Sequence, residues 1–271
     1  RPNVEVGPTA RTGVGVSDDV RQFSIRTDYL PTQKDNLMVR YLIDDNRLSP
    51  DLFANPYALP GFDTMQSGRS QNLAIAYTHT FSSNLTNEFR FSYGRINLGF
   101  LPTSETLANP LANEPSALID ELSGVETGIM TGFPQSRLHN TFQTQEALNW
   151  TKGNHTWKFG LDLTRIQEFD LVPFNSRGTV DFAAGGGYTG LANFVDNYSG
   201  AGYSNVAIQF GNPKIRPFVF NQGYYAQDTW RVRPNLTLTL GVRYEYAGTP
   251  LNVLPYPTIN PATVLTDPIE T

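Results

Sequence analysis

Between Leu236 and Tyr246 the chain alternates apolar and polar residues with a period of two. Leu236, Leu238, Leu240, Val242, Tyr244 and Tyr246 fall on one face; Thr237, Thr239, Gly241, Arg243 and Glu245 fall on the other. That period belongs to a β-strand with one apolar and one polar side. The pattern recurs. Leu73, Ile75, Tyr77 and Phe81 oppose Ala74, Ala76, Thr78 and Thr80; Phe89, Phe91 and Tyr93 oppose Glu88, Arg90, Ser92 and Gly94; Trp157, Phe159, Leu161 and Leu163 oppose Lys158, Gly160, Asp162 and Thr164. Leu37, Val39, Tyr41 and Ile43 oppose Met38 and Arg40, with Leu42 breaking the alternation. In Phe218–Trp230 aromatics occur in both parities, which predicts a bulge near Gly223.

These segments pair through short turns rich in Pro, Gly and Asn: Pro31–Asn36, Ser82–Asn84, Lys152–Asn154 and Arg233–Asn235. The predicted strands are Gln22–Tyr29, Asn36–Ile43, Gln71–Phe81, Leu85–Ile96, Thr141–Trp150, Thr156–Ile166, Gly178–Phe182, Ser204–Phe210, Phe218–Trp230 and Leu236–Tyr246, about ten in all. They occupy roughly residues 20–247, with 1–19 and 248–271 read as loop. Leu48–Gly68 and Leu101–Leu138 are far longer than the usual connection of about 4–6 residues. The stretch TGLANFVDNY predicts a short helix capped by Thr189.

An alternating sheet fits two architectures. A soluble β-sandwich buries the apolar face against a second sheet; an outer-membrane barrel turns it to lipid and keeps the charges in a wet lumen. Three features favour the barrel. Short turns alternate with long loops, as at the periplasmic and extracellular rims of a barrel. Strand charges of both signs, among them Arg26, Asp28, Arg40, Glu88, Arg90, Lys158, Asp162, Arg243 and Glu245, gather on the polar face and are expected to pair across strands. Trp150, Trp157, Phe81, Trp230 and Tyr225 lie close to the short turns, with Tyr244 and Tyr246 toward the other end, as in headgroup-level girdles.

Composition narrows the function. The 271 residues are 17% charged, against about 25% in ordinary soluble domains, and contain 13 Tyr and 17 Phe. No apolar run approaches the ~20 residues of a transmembrane helix. The lack of a charged and apolar leader reads as a mature form, an internal fragment or a cytosolic protein. A net charge of −5 without a basic cluster argues against nucleic-acid binding. With no cysteine, thiolate metal sites and disulfides are excluded. His79, His139 and His155 show no metal-ligand spacing and read as surface or strand-end residues; the Asn-headed sequons at 84, 149, 154, 197 and 235 read as turns. Gly185–Gly187 and Gly200–Gly202 do not have phosphate-loop spacing, and adjacent carboxylates such as Asp44 and Asp45 point to opposite faces of a strand. No nucleophile elbow or triad order is visible, so the chain reads as a non-enzyme with no catalytic, metal or cofactor residues.

QGYYAQDTWRVRPNLTLTLGVRYEY (Gln222–Tyr246) resembles a strand–turn–strand signature of TonB-dependent receptor barrels, and GNHTWKFGLDLTR (Gly153–Arg165) and NLTNEFRFSYGR (Asn84–Arg95) resemble further hairpins of that family. With RTDYLPTQKDNLMVRY (Arg26–Tyr41) and TGLANFVDNYSG (Thr189–Gly200), the set is most similar to the Oar-like branch. The resemblance implies an antiparallel up-and-down transmembrane barrel domain across 1–271, with short periplasmic turns and long extracellular loops. Family members carry a regulatory-like domain, a plug with an energy-coupling box and a barrel of about 22 strands. Ten strands amount to an internal portion of such a barrel with open edges.

The resemblance further implies outer-membrane lipid as surroundings, the TonB complex as a partner through a plug not present in this chain, and uptake of a siderophore, glycan or peptide. Phe53, Tyr57, Phe62 and Phe100 are the candidate loop contacts; Arg40, Glu88, Arg90, Lys158, Asp162, Arg243 and Glu245 are the candidate lumen wall. A soluble sandwich module or adhesin repeat and a passive porin-like barrel are the alternatives.

Overall fold

A computed structural model describes residues 15–52, 59–122, 126–173, 175–199, 206–210 and 212–252, together with the short strands Val4–Val6, Thr9–Arg11, Thr258–Asn260 and Leu265–Asp267. These four form two small hairpins inside the terminal stretches expected to be loop.

Eight long strands make one antiparallel wall in chain order: β1 (Ser17–Tyr29), β2 (Asp35–Ser49), β3 (Thr64–Ser82), β4 (Leu85–Pro102), β5 (Gln135–Lys152), β6 (His155–Leu171), β7 (Pro217–Arg233) and β8 (Leu236–Tyr246). Each pairs with its sequence neighbour, the up-and-down connectivity expected. The sheet is open, ending on β1 and β8. All four short turns are where Pro, Gly and Asn place them, with Gly153 at φ +62° in the β5–β6 turn.

Two predicted strands lie elsewhere. Thr179–Phe182 and Val206–Ala207 pair with each other away from the wall, in a small sheet with Ser116–Ile119 and Glu126–Thr127. Their runs of four and two residues are too short to cross a bilayer, for which about 9–11 are needed. The wall sheet instead gains two-residue strands at the long-loop rim, Lys214–Ile215 on β6 and Leu251–Asn252 on β7. Nor is there a bulge at Gly223, which pairs in continuous register with Asp162 and Glu245; the irregularity in β7 falls at Arg231/Arg233.

Register fixes both faces. The apolar side runs from Leu37 to Ile43, Leu73 to Phe81, Leu85 to Tyr93, Phe142 to Trp150, Trp157 to Leu163, Tyr224 to Trp230 and Leu236 to Tyr246, in mutually matched rows. Asn87 and Glu146 interrupt this band and hydrogen-bond each other. Following the register from Tyr41 through Leu73, Tyr93, Phe142 and Arg165 to Phe220 climbs from about eight to about fourteen residues above the short turns. With those turns level, the stagger corresponds to a strand tilt of about 35–40° at ~3.3 Å per residue and ~4.8 Å per strand, within the range found in closed barrels. At that tilt a nine-residue apolar run stands about 23 Å tall, close to the ~25 Å apolar band of outer-membrane barrels.

Both borders of the band carry amphipathic rings. On the short-turn side Trp150 and Trp157 lie 4.8 Å apart, and His155 stacks between Trp157 and Trp230 while its Nδ1 lies 2.6 Å from the Asp228 carboxylate. Nearby, the Tyr77 hydroxyl donates to Asp35 at 2.6 Å, and His79 pairs with the same carboxylate. On the far side Tyr41, Tyr93 and Tyr224 bond through their hydroxyls to Gln71, Asn140 and Gln222. Above them the same face turns polar, with Arg69 bidentate on Asp45 at 2.6 and 2.9 Å. Tyr225, expected in the lower girdle, is instead on the polar face over Gly160, where an added Cβ would come within 2.4 Å of its ring.

The wall strands reach 19 residues, well beyond the roughly ten predicted. The excess lies at the long-loop rim, where polar residues on both faces hide the strand period from sequence inspection.

Candidate functional site

Register places all seven candidate wall charges, Arg40, Glu88, Arg90, Lys158, Asp162, Arg243 and Glu245, on the polar face. Where charges on this face form ion pairs, the pairs run along strands and not across them. Arg26 bonds Asp28, Arg90 bonds Glu88 and Arg243 bonds Glu245, each two residues apart on one strand. The reason is the cross-strand neighbourhood: Arg90 faces Ala76 and Gln145, Glu88 faces Thr78 and Ala147, and Arg243 faces Tyr225. No opposite charge is available there. Asp162 takes hydrogen bonds from Gln143 and Gln145 on β5 at 2.8–3.1 Å. Around Gly223, whose missing side chain leaves a hollow, Asp162, Asn221, Arg243 and Glu245 converge. This patch offers charge of both signs and amide groups to a polar ligand.

The long loops form a module of their own. In loop 103–134, Thr103 caps helix α1 (Ser104–Ala108), its hydroxyl accepting from the Thr106 N–H at 3.2 Å. The buried Thr106 hydroxyl donates to the Asp63 carbonyl at 2.7 Å, and Asn109 donates to the Gly61 carbonyl, so Gly61 and Asp63 are tied to α1. Burial, with the Glu105 charge beside it, pushes the Asp63 carboxyl above its ordinary range.

Residues 175–199, after β6, join the same module. Thr179–Phe182 runs parallel to Ser116–Ile119. The half-buried Arg177 guanidinium donates to the carbonyls of Ile129, Met130 and Phe133, clamping one loop to the other. Burial lowers its affinity for its proton from the ordinary value. Helix α2 (Gly190–Val195) forms as predicted, with the Thr189 hydroxyl accepting from Ala192 N–H at 3.1 Å. Glu121 reaches over from the other loop to accept the N–H groups of Gly190 and Leu191 at 2.7 and 2.9 Å. Burial alone would raise this carboxyl, yet the backbone N–H bonds it accepts hold it below the usual range.

Of the candidate loop aromatics, Phe62 is 7% exposed and Phe100 stacks on Phe133 with centroids 5.9 Å apart. Phe53 and Tyr57 lie outside the described residues. The sequence reading did not single out Arg177, Glu121 or Ser116, whose partners come from distant segments. It also did not join His139, which lies on β5 with Nε2 2.9 Å from Asp170 of β6.

A tilted, alternating, open wall with ring-lined borders and a cap of mutually hydrogen-bonded loop segments defines a section of an outer-membrane β-barrel. The family model "Outer membrane beta barrel domain" matches residues 1–255, and the chain belongs to that family. Its place is the cell outer membrane. Among solved structures it is similar to the open form of the ferric-catecholate import receptor Fiu from E. coli K12, at 13% identity and a TM-score of 0.51, over 88% of this chain and 42% of that one. It is also similar to the outer membrane transporter YddB from Escherichia coli, at 11% identity and a TM-score of 0.50, over 88% of this chain and 29% of that one. The likeness is one of fold, and the chain spans less than half the length of either. No curated protein matches it in sequence.

Proposed function

We propose that this chain forms part of the wall and extracellular mouth of a TonB-dependent transporter that takes up a bulky nutrient, of siderophore, glycan or peptide type. The observation that carries the reading is the knitted loop module: two loops joined by Arg177, Glu121 and a parallel strand pair, with Gly61 and Asp63 of a third tied on by Asn109 and Thr106, make a built surface above the wall. Mere connections between strands need no such structure. Beneath it the polar face supplies a lumen wall in which Arg40, Glu88, Arg90, Lys158, Asp162, Arg243 and Glu245 meet a polar ligand. Phe62 and Phe100 support the module from within, and Phe53 and Tyr57 are the remaining aromatic candidates for contact. The fold shared with an import receptor and an outer-membrane transporter supports the assignment. Energy from the inner-membrane TonB complex enters through a plug domain.

Depletion of compounds from a mixed nutrient medium, followed by mass spectrometry, tests this directly. A compound class should disappear from the medium of wild-type cells and persist with the gene deleted or the proton gradient collapsed. Depletion that survives the collapse of the gradient would indicate a passive porin instead.

A further inference from the structure

We propose that His139, Glu168 and Asp170 form a binding site for a divalent first-row transition metal ion at the extracellular rim of the wall. His139 on β5 is the direct cross-strand partner of Glu168 on β6, and Asp170 follows two residues later on the same face. This brings one imidazole and two carboxylates together with ligand atoms all within 4.8 Å of one another. His139 Nε2 and Asp170 Oδ1 are 2.9 Å apart, and the Asp170 side chain is only 9% exposed. Two carboxylates and one imidazole thus converge on one point of the polar face, a donor set that a cation bridges.

The surrounding groups leave that role open. Arg137, directly opposite Asp170, sends its guanidinium over the Phe100 ring at 6.0 Å and makes no ion pair with the cluster. On the other side of His139 stands Ile96 of β4. Mixed N/O donors of this kind suit Zn²⁺ and its neighbours, and three protein ligands leave coordination positions free for water or a donor atom from an incoming molecule. The site is on the polar face above the apolar band, about fourteen residues from the short turn, so ions reach it from outside the cell. It needs only the wall geometry and stands whatever nutrient the receptor carries.

The test is calorimetric titration of the complete protein in detergent with Zn²⁺ alone, comparing wild type with Glu168→Gln, His139→Ala and Asp170→Asn. Loss of a neighbouring hydrogen-bond partner already costs metal sites about 10–100-fold, so loss of a ligand should weaken binding by about 100-fold. The near-isosteric Glu168→Gln decides the matter, since a mere His139–Asp170 pair does not involve Glu168. On the wild-type protein alone, Co²⁺ should give visible absorption bands that Zn²⁺ abolishes. Absence of Zn²⁺ binding in wild type, or equal binding by all four proteins, would overturn the proposal.

Discussion

The wall and the loop module treat apolar residues in opposite ways. Among the described residues every buried apolar one, Phe62, Ala112, Ile119, Ile129, Phe133, Phe182 and Ala183, belongs to the loops. The wall contributes none, and its Phe, Leu and Tyr side chains line an uncovered face. The loops build a small core of the kind water demands, while the wall is organised for a solvent as apolar as its own side chains. A single chain thus holds two solutions to apolar placement, and the apolar band of the wall ends at the Tyr41, Tyr93 and Tyr224 hydroxyls.

If the two regions are separate in this way, each should break without the other. The largest effect is expected from Phe133→Ala, which empties the centre of the Ala112–Ile129–Phe133 cluster and removes the ring stacked on Phe100. It should cost the module about 3–5 kcal/mol. Proteolysis or hydrogen exchange should show the loops opening while the heat-modifiable gel mobility of the barrel is unchanged. A wall that melts with the loops would mean one cooperative unit.

Next comes Phe91→Arg, in the middle of the apolar band opposite Ile75 and Thr144. An arginine at the bilayer midplane should destabilise by about 2–4 kcal/mol, whereas Ser92→Arg, on the other face of the same strand, should be tolerated. Equal effects in urea unfolding from lipid vesicles would remove the distinction between faces. Gly160→Ala sharpens it on the polar side, because the new Cβ would meet the Tyr225 ring at 2.4 Å and the Glu146 carbonyl oxygen at 2.6 Å. Overpacking of this kind costs about 1–3 kcal/mol, visible as a lowered urea midpoint.

The smallest effect is electrostatic. Glu121 has its folded carboxyl lowered by the N–H groups at the start of α2, so its contribution is present above the ordinary carboxylate range and lost as pH falls through the folded value. Protection of the Gly190 and Leu191 amides from hydrogen exchange, taken relative to their intrinsic rates, should fall in acid, and Glu121→Gln should abolish that pH dependence. An unchanged pH profile in the variant would show that the cap does not depend on this charge.

Much of the wall was legible because period-two alternation and Pro/Gly/Asn turns are local signals. Leu236–Tyr246 and its turn were readable from thirteen residues, and the structure keeps them. The strand tops were not, since above the tyrosines both faces are polar and alternation ceases to carry information. The loop sheet was misassigned to the wall for a related reason: Thr179–Phe182 has strand composition, and only its parallel partner Ser116–Ile119, more than sixty residues away, reveals where it belongs. Arg177 and the His139–Glu168–Asp170 cluster depend on register between segments, which no spacing motif encodes.

The central claim is that the apolar face of the wall meets lipid. Residues 1–271 contain no cysteine, so single cysteines carrying spin labels can be placed at each position from 88 to 93 of the complete protein in liposomes, with any cysteine outside these residues replaced by serine. Collision with oxygen, concentrated in lipid, should peak at 89, 91 and 93, and collision with a water-soluble nickel chelate at 88, 90 and 92. Equal access of the chelate to both sets would contradict the account.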